Sequence, residues 1–196
     1  DNYLTPKISL QYSPHNMINL SSTQRRIDAK GVWSVNRIGQ SDTVESGQSL
    51  TVGMDFKRSR KIEGMLIKDV LNEVDSEEPL DVLEVNLAGV FREEINEDMP
   101  ITSSLNQTSS DLLGKVLINP AKYLKFEYDF NLDNNFDVFK YNGISTTLDV
   151  NNFITTFKYA EENDPIGKAH YWENNTKLQL NETSSLQFAT RKNKQI

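Results

Sequence analysis

Apolar and polar residues alternate along much of this chain. The clearest case is residues 123–133, YLKFEYDFNLD. A period of two is typical of a β-strand that has one apolar and one polar face. We therefore predict a strand there, with Leu124, Phe126, Tyr128 and Phe130 on one face and Lys125, Glu127, Asp129 and Asn131 on the other.

The same alternation recurs in other segments and predicts about ten strands. In residues 49–56, Leu50, Val52, Met54 and Phe56 lie on the face opposite to Asp55. In residues 82–94 the polar side contains Glu84, Asn86 and Arg92. Residues 31–38 also suggest a strand, although either Val32 and Ser34 or Trp33 and Val35 fit its apolar face. The predicted strands are 8–12, 31–38, 49–56, 82–94, 111–119, 123–133, 143–150, 152–162, 175–181 and 185–192.

The length of these strands and of their links narrows the fold class. Strands in soluble proteins have about five or six residues, whereas a tilted strand that crosses a bilayer needs about 9–11. Nine of the ten predicted strands have 7 to 13 residues, longer than a typical strand of a soluble protein. Tight turns at 119–122, 151–152 and 181–184 alternate with longer links at 133–142 and 161–170. Short turns at one rim and longer loops at the other are typical of outer-membrane barrels.

Residues 58–80 depart from this pattern. They occupy a position where a short turn is expected, yet they form a long insertion between two strands. Within them, residues 62–74 have the composition of one short amphipathic helix.

Composition excludes several classes of protein. The net charge of −7 disfavours nucleic acid as a partner, because phosphate binding requires a basic surface. The absence of cysteine excludes disulfides and thiolate metal sites within these residues. No apolar run approaches the ~18 residues of a membrane-spanning helix. We expect the whole of 1–196 to be one barrel segment, truncated at both ends from a longer chain.

Candidate catalytic and metal sites are weak. His15 and His170 lie far apart in loop-like sequence. Residues 129–140 begin like a calcium loop, but Asn134 replaces the required glycine and Lys140 the required glutamate. No convergent catalytic set and no nucleotide-binding glycine loop is evident. We therefore expect no enzymatic activity, no metal and no cofactor.

Several segments, taken in order, resemble one protein family. These are residues 36–58, 83–94, 103–116 and 128–135, preceded by a similar opening at 4–14. Together they resemble the barrel part of the LptD family of lipopolysaccharide-assembly proteins, over most of the chain. Each motif is modest alone, and their order and spacing make the resemblance specific. The family commonly contains cysteines that form disulfides, and this sequence contains none.

The resemblance implies an antiparallel up-and-down meander that is part of a large transmembrane β-barrel in the bacterial outer membrane. It implies transport of lipopolysaccharide to the outer leaflet. The implied partners are lipopolysaccharide, outer-membrane lipids, a lipoprotein that plugs the barrel, and periplasmic bridge proteins that dock through an N-terminal domain outside these residues. No residue matches a functional motif of the family closely enough to receive a role.

A barrel assigns each strand face to lumen or lipid. We predict that the lumen is lined by Asp55, Glu84, Asn86, Arg92, Lys125, Glu127, Asp129 and Asn131. We predict that lipid is contacted by Leu50, Val52, Met54, Phe56, Leu124, Phe126, Tyr128 and Phe130. The lumen charges also fit simple cross-strand ion pairing without any ligand. Two other interpretations stay open, a different outer-membrane barrel such as a porin or receptor, and a soluble β-sandwich that binds a partner.

Overall fold

A computed structural model of the protein describes residues 1–39, 42–60, 80–164 and 167–194. These residues form one sheet of nine antiparallel strands, in which every strand pairs with its neighbours in sequence. The predicted all-β antiparallel meander is confirmed, with nine described strands where about ten are predicted. The strands are β1 (Asn2–Ser13), β2 (Gly47–Arg60), β3 (Leu80–Arg92), β4 (Leu112–Ala121), β5 (Leu124–Leu132), β6 (Phe139–Val150), β7 (Phe153–Asp164), β8 (Gly167–Gln179) and β9 (Ser185–Lys194).

The strands are long, from 9 residues in β5 to 14 in β2. The register between strands places apolar residues opposite apolar residues and polar residues opposite polar residues. For example, Met54 lies opposite Leu87, and Lys115 lies opposite Asp129. Since a one-residue slip would exchange the two faces, the alternation in each strand fixes its register against the next. Strands β1 and β9 form the two edges of the sheet.

The predicted strand at 31–38 is wrong. Gly31–Trp33 form a single turn of 3₁₀ helix. Its start is held by Asp28, whose Oδ1 accepts hydrogen bonds from the backbone N–H of Lys30 at 2.9 Å and of Gly31 at 2.6 Å. An aspartate that bonds the backbone ahead of it favours a turn over a strand. Val32 and Ile38 lie in a hydrophobic core with Trp33 packed against it, whereas Val35 is 77% exposed.

Most links separate into two kinds at opposite ends of the sheet, and two differ in length from the others at their end, the long connection between β2 and β3 and the short one between β7 and β8. We call one end the short-turn end, because 122–123, 151–152 and 180–184 connect strands there. Asn151 in the second of these turns has φ 52°, a conformation that asparagine tolerates better than most residues. At the other end, the long-link end, 14–46 and 93–111 connect strands.

A longer link predicted at 161–170 is wrong. Strand β7 continues to Asp164 and β8 begins at Gly167, so most of the segment is paired. Polar cross-strand contacts support these ends. The hydroxyl of Tyr171 donates a hydrogen bond to Oε1 of Glu162 at 3.3 Å. Oε1 of Glu161 lies 3.5 Å from Nδ1 of His170. Hydrophobic alternation alone does not reveal a strand end whose side chains are mostly polar.

The insertion predicted at 58–80 is shorter at its margins than the sequence suggests, because β2 extends to Arg60 and β3 begins at Leu80. The helix predicted over 62–74 lies outside the described residues. Elsewhere in the described chain the helical elements are the turn at Gly31–Trp33 and a second 3₁₀ turn at Ile101–Ser103. No helix in this described part is long and apolar enough to cross a membrane.

The link between β5 and β6 depends on Asp133. Its Oδ1 accepts hydrogen bonds from the backbone N–H of Asp137 at 2.7 Å and of Val138 at 3.1 Å. These bonds hold the pKa of the Asp133 carboxyl below its ordinary value of 3.8. A carboxyl with a lowered pKa stabilises the fold above its ordinary pKa and loses that effect as the pH falls through the folded value.

We therefore expect Asp133→Ala to accelerate hydrogen exchange of the Asp137 and Val138 amides at neutral pH. In the unmodified protein the same two amides should become labile only as the pH falls below 3.8. Asp133→Asn retains a neutral oxygen acceptor, as the protonated carboxyl does, and serves as the matched variant, with an acceleration at neutral pH that is smaller than in Asp133→Ala. Equal exchange in the alanine variant and the unmodified protein would contradict the role of Asp133.

Candidate functional site

The sheet has two chemically different faces. The strand pairs place one set of side chains on what we call the polar face, and the alternate set on what we call the apolar face. The eight residues predicted to line a lumen all lie on the polar face: Asp55, Glu84, Asn86, Arg92, Lys125, Glu127, Asp129 and Asn131. The eight predicted to contact lipid all lie on the apolar face: Leu50, Val52, Met54, Phe56, Leu124, Phe126, Tyr128 and Phe130.

Charges on the polar face are paired across strands. Asp55 receives hydrogen bonds from Lys7 at 3.2 Å and from the amide of Asn86 at 2.8 Å. Lys115 lies 2.7 Å from Glu127 and 3.3 Å from Asp129. Opposite charges on neighbouring strands stabilise a sheet locally. These contacts show that the polar face carries a matched charge pattern.

The two long links fold back onto the polar face. We call the described residues of 14–46 and 93–111 the cap. Apolar side chains of the cap and of strands β3 and β4 form the main hydrophobic core of the described chain. Its members are Met17, Leu20, Ile27, Ala29, Val32, Ile38, Ala88, Val90, Met99, Leu105 and Leu113, with Trp33 packed against them. The core therefore lies on the face that is otherwise polar, beneath the cap.

A buried ionic cluster fastens the cap beside β2 and β3. The carboxylate of Glu45 accepts hydrogen bonds from both Arg37 and Arg92. Arg37 also donates to Ser49 at 2.6 Å and to Thr51 at 3.0 Å. The three charged side chains are between 1% and 3% exposed. Charges buried this deeply must be paired, so the cluster fixes the position of the cap.

Further contacts reach the middle of the sheet. The amide of Asn131 donates to the backbone oxygen of Ile27 at 3.1 Å. Lys30 lies 3.1 Å from Glu84. The guanidinium of Arg26 stacks 3.0 Å from the ring centre of Tyr141. Three predicted lumen residues, Arg92, Asn131 and Glu84, are thus bonded to the cap, whereas Asn86 bonds to Asp55 on the neighbouring strand β2.

A cleft of about 210 Å³ remains on the polar face next to Arg26. Its lining includes Lys115, Glu127, Asp129 and Tyr141. Lys115 pairs with both carboxylates. The cleft is charge-balanced, because its lining contains three cations, Arg26, Lys115 and Lys158, and three carboxylates, Asp28, Glu127 and Asp129. Among the described residues no group of His, Asp and Glu is arranged to hold a metal ion.

Asp111 lies at the base of the cap. Burial raises the pKa of its carboxyl, and a hydrogen bond from the ammonium of Lys140 at 2.7 Å opposes that rise. Asp111 is 1% exposed. The pair of Asp111 and Lys140 links the second long connection to β6, and it lies at the long-link end with the rest of the cap. It therefore acts as a structural anchor on the side away from Glu45.

The apolar face is exposed across the sheet. Ile8 on β1 is 74% exposed, Ile144 on β6 is 52% exposed and Phe188 on β9 is 59% exposed. On β7 and β8, Phe157 and Trp172 stack with ring centres 6.1 Å apart. Thr155, Asn174 and Thr176 interrupt this face on β7 and β8, where they hydrogen-bond one another. An exposed apolar surface of this extent marks a site that contacts protein or membrane.

Sequence reasoning missed the cap and its anchors, Arg37 and Glu45. One signal was available, since the link 14–46 contains apolar residues such as Met17, Leu20 and Ile27 that a solvated loop does not need. No pattern in the sequence predicts the contact between Glu45 and Arg92, because it depends on how the link before β2 folds against the end of β3.

No protein-family model and no curated protein matches this chain.

Proposed function

We propose that this chain forms part of the wall of a β-barrel in a bacterial outer membrane, with its polar face towards the barrel interior and its apolar face towards lipid. The observation that supports this most strongly is the exposed apolar face, which extends from β1 to β9. In water such a face is an aggregation liability. In a bilayer it replaces water contacts with lipid contacts, as the outer face of a membrane barrel does.

Strand length and the position of the cap agree with this orientation. The strands have 9 to 14 residues, which suits a tilted crossing of the hydrocarbon layer. The cap lies on the polar face, which becomes the interior of a barrel. A soluble sandwich would cover the apolar face with a second sheet, whereas in the described residues the covering layer lies on the polar face.

We further propose that the barrel transports lipopolysaccharide, as the resemblance to the LptD family implies. A charged head group with several acyl chains needs a path that is polar on one side and apolar on the other. This sheet supplies both surfaces within one wall. In this proposal the partners are lipopolysaccharide, a plug lipoprotein, periplasmic bridge proteins and outer-membrane lipids.

A porin or receptor barrel is the alternative within the same architecture. The cap favours a filled interior over an open pore, because it covers the polar face along β2 to β5 and is fixed there by buried ion pairs. A receptor with an internal plug also fits that observation. The two differ in what passes along the polar face.

Site-specific photo-crosslinking distinguishes them. A photoreactive amino acid at Asn175, on the polar face of β8, should capture lipopolysaccharide in cells that are synthesising it. The same group at Thr190, on the apolar face of β9, is the matched control for membrane lipid. After purification of the protein from membranes, lipopolysaccharide adducts are scored by immunoblotting and phospholipid adducts by mass spectrometry.

Lipopolysaccharide captured at Asn175 supports transport along the interior. Lipid captured at Thr190 with no lipopolysaccharide at Asn175 would contradict transport and favour a porin or receptor. Absence of lipid adducts at both positions would contradict the membrane orientation itself.

A further inference from the structure

Three lysines share one corner of the apolar face, at the long-link end of β8 and β9. The register places Lys194 opposite His170 and Lys192 opposite Trp172. Lys168 follows on the same face of β8, two residues before His170. All three lysine side chains are exposed. This corner is thus strongly basic in a chain whose net charge is −7.

None of these lysines forms an ion pair with a side chain that the structure describes, a set that leaves out the side chain of Asp164. The described carboxylate on the same corner is Glu161. Its Oε1 accepts a hydrogen bond from the hydroxyl of Tyr159 at 2.7 Å and lies 3.5 Å from Nδ1 of His170. Glu161 is therefore occupied by its own neighbours, and the three ammonium groups are left to solvent.

The side chains beside the lysines are of the types that are common at a membrane interface. Tyr159 and Trp172 lie directly towards the middle of the sheet, and Phe157 stacks on Trp172 at 6.1 Å. Tyrosine and tryptophan rings collect at the level of lipid head groups. Lysine side chains beside them extend their ammonium groups to the same level.

Lysine on an edge strand ordinarily serves to prevent the unpaired edge of the sheet from pairing with another chain. It applies to Lys192 and Lys194, since β9 is an edge of the sheet. At Lys168, β8 pairs with β7, and the described pairing with β9 begins two residues later, at His170. Edge protection does not account for Tyr159 and Trp172, the aromatic residues that lie beside these lysines on the same face.

We propose that Lys168, Lys192 and Lys194 bind the phosphate of an anionic membrane lipid on the outward surface of the protein. The occupant follows from charge and position, because the patch is cationic, unpaired and bordered by interfacial aromatic rings. This inference rests on the proposed membrane orientation and extends it with a preferred lipid at a defined site.

Trp172 lies within the patch and reports on it. The sequence has two tryptophans, and the other, Trp33, packs under the cap on the opposite face. The protein with Trp33→Phe is reconstituted in bilayers of zwitterionic phospholipid that contain a brominated phospholipid, either anionic or zwitterionic. The fluorescence of Trp172 is obtained by subtracting the signal of the same variant with Trp172→Phe, and its quenching is compared between the two brominated lipids.

We expect the brominated anionic lipid to quench Trp172 more strongly than the zwitterionic one, with a relative binding constant higher by about fivefold or more. Lys168→Gln, Lys192→Gln and Lys194→Gln together should abolish the preference. Lys177→Gln with Arg191→Gln, which removes two cations from the polar face of the same strands, should retain it. The preference should also weaken at high salt.

Equal quenching by the two brominated lipids would overturn the lipid site while leaving the membrane orientation supported. A preference that persists without the three lysines would overturn the site equally. Absence of quenching by either lipid would place Trp172 outside the membrane and overturn the proposed orientation as well.

Discussion

Arginine in place of Ile144 is expected to destabilise the protein in a bilayer by about 2–4 kcal/mol. Ile144 lies in the middle of β6 on the apolar face, opposite Tyr128 and Tyr159. It is 52% exposed, so arginine fits there without a clash. The expected loss therefore comes from placing a charge in lipid. The free energy of unfolding is measured by urea titration of protein folded into liposomes.

Ser145→Arg is the matched control. Ser145 is the next residue on β6, and its side chain lies on the polar face opposite Glu127 and Lys158. Arginine there lies between the carboxylate of Glu127 and the ammonium of Lys158, so attraction and repulsion largely offset and a change below about 1 kcal/mol is expected. If the apolar face met water, Ile144→Arg would also be nearly neutral, and that result would contradict the membrane orientation.

Glu45→Gln is expected to destabilise the protein by about 3–5 kcal/mol. The substitution keeps the size of the side chain and one oxygen acceptor while removing its charge. Arg37 and Arg92 then remain buried at 1% and 3% exposure without a carboxylate. Removal of one member of a buried ionic cluster is costly because the remaining charges are left uncompensated. The cap should loosen before the sheet unfolds.

Two readouts separate these events. Fluorescence of Trp33, which packs against the core beneath the cap, reports the cap, and far-ultraviolet circular dichroism reports the sheet. A triple variant with Arg37→Met, Glu45→Leu and Arg92→Met removes every charge together and should be far less destabilised than Glu45→Gln. Equal loss in both variants would show that packing at this position matters more than charge.

The sheet is largely predictable from sequence because its information is local. In β5, each residue from Leu124 to Leu132 alternates in character, and a period of two admits one arrangement of faces. Connections through tight turns such as 151–152 then favour pairing with the next strand. The two faces and most strands follow from these facts alone.

The cap is not predictable in the same way. Its apolar residues, such as Met17 and Val32, follow no period, because they pack in an irregular core rather than on one face of a regular element. Asp28 sets the turn at Gly31 through a side-chain hydrogen bond that competes with strand formation. Arg92 fits the alternation of β3. Its partner Glu45 lies in the link before β2, so the local pattern of β3 does not predict their contact.

The order of the strands has a consequence for how such a wall changes in evolution. Each strand pairs only with the strands before and after it in sequence. Duplication or loss of a whole hairpin therefore leaves every remaining pair and both faces intact, so the width of the wall can change in steps of two strands. Insertion or deletion of one residue within a strand has the opposite effect, because it turns every later side chain of that strand to the wrong face. Lineages should therefore differ by whole hairpins and by link length, while strand interiors keep their length.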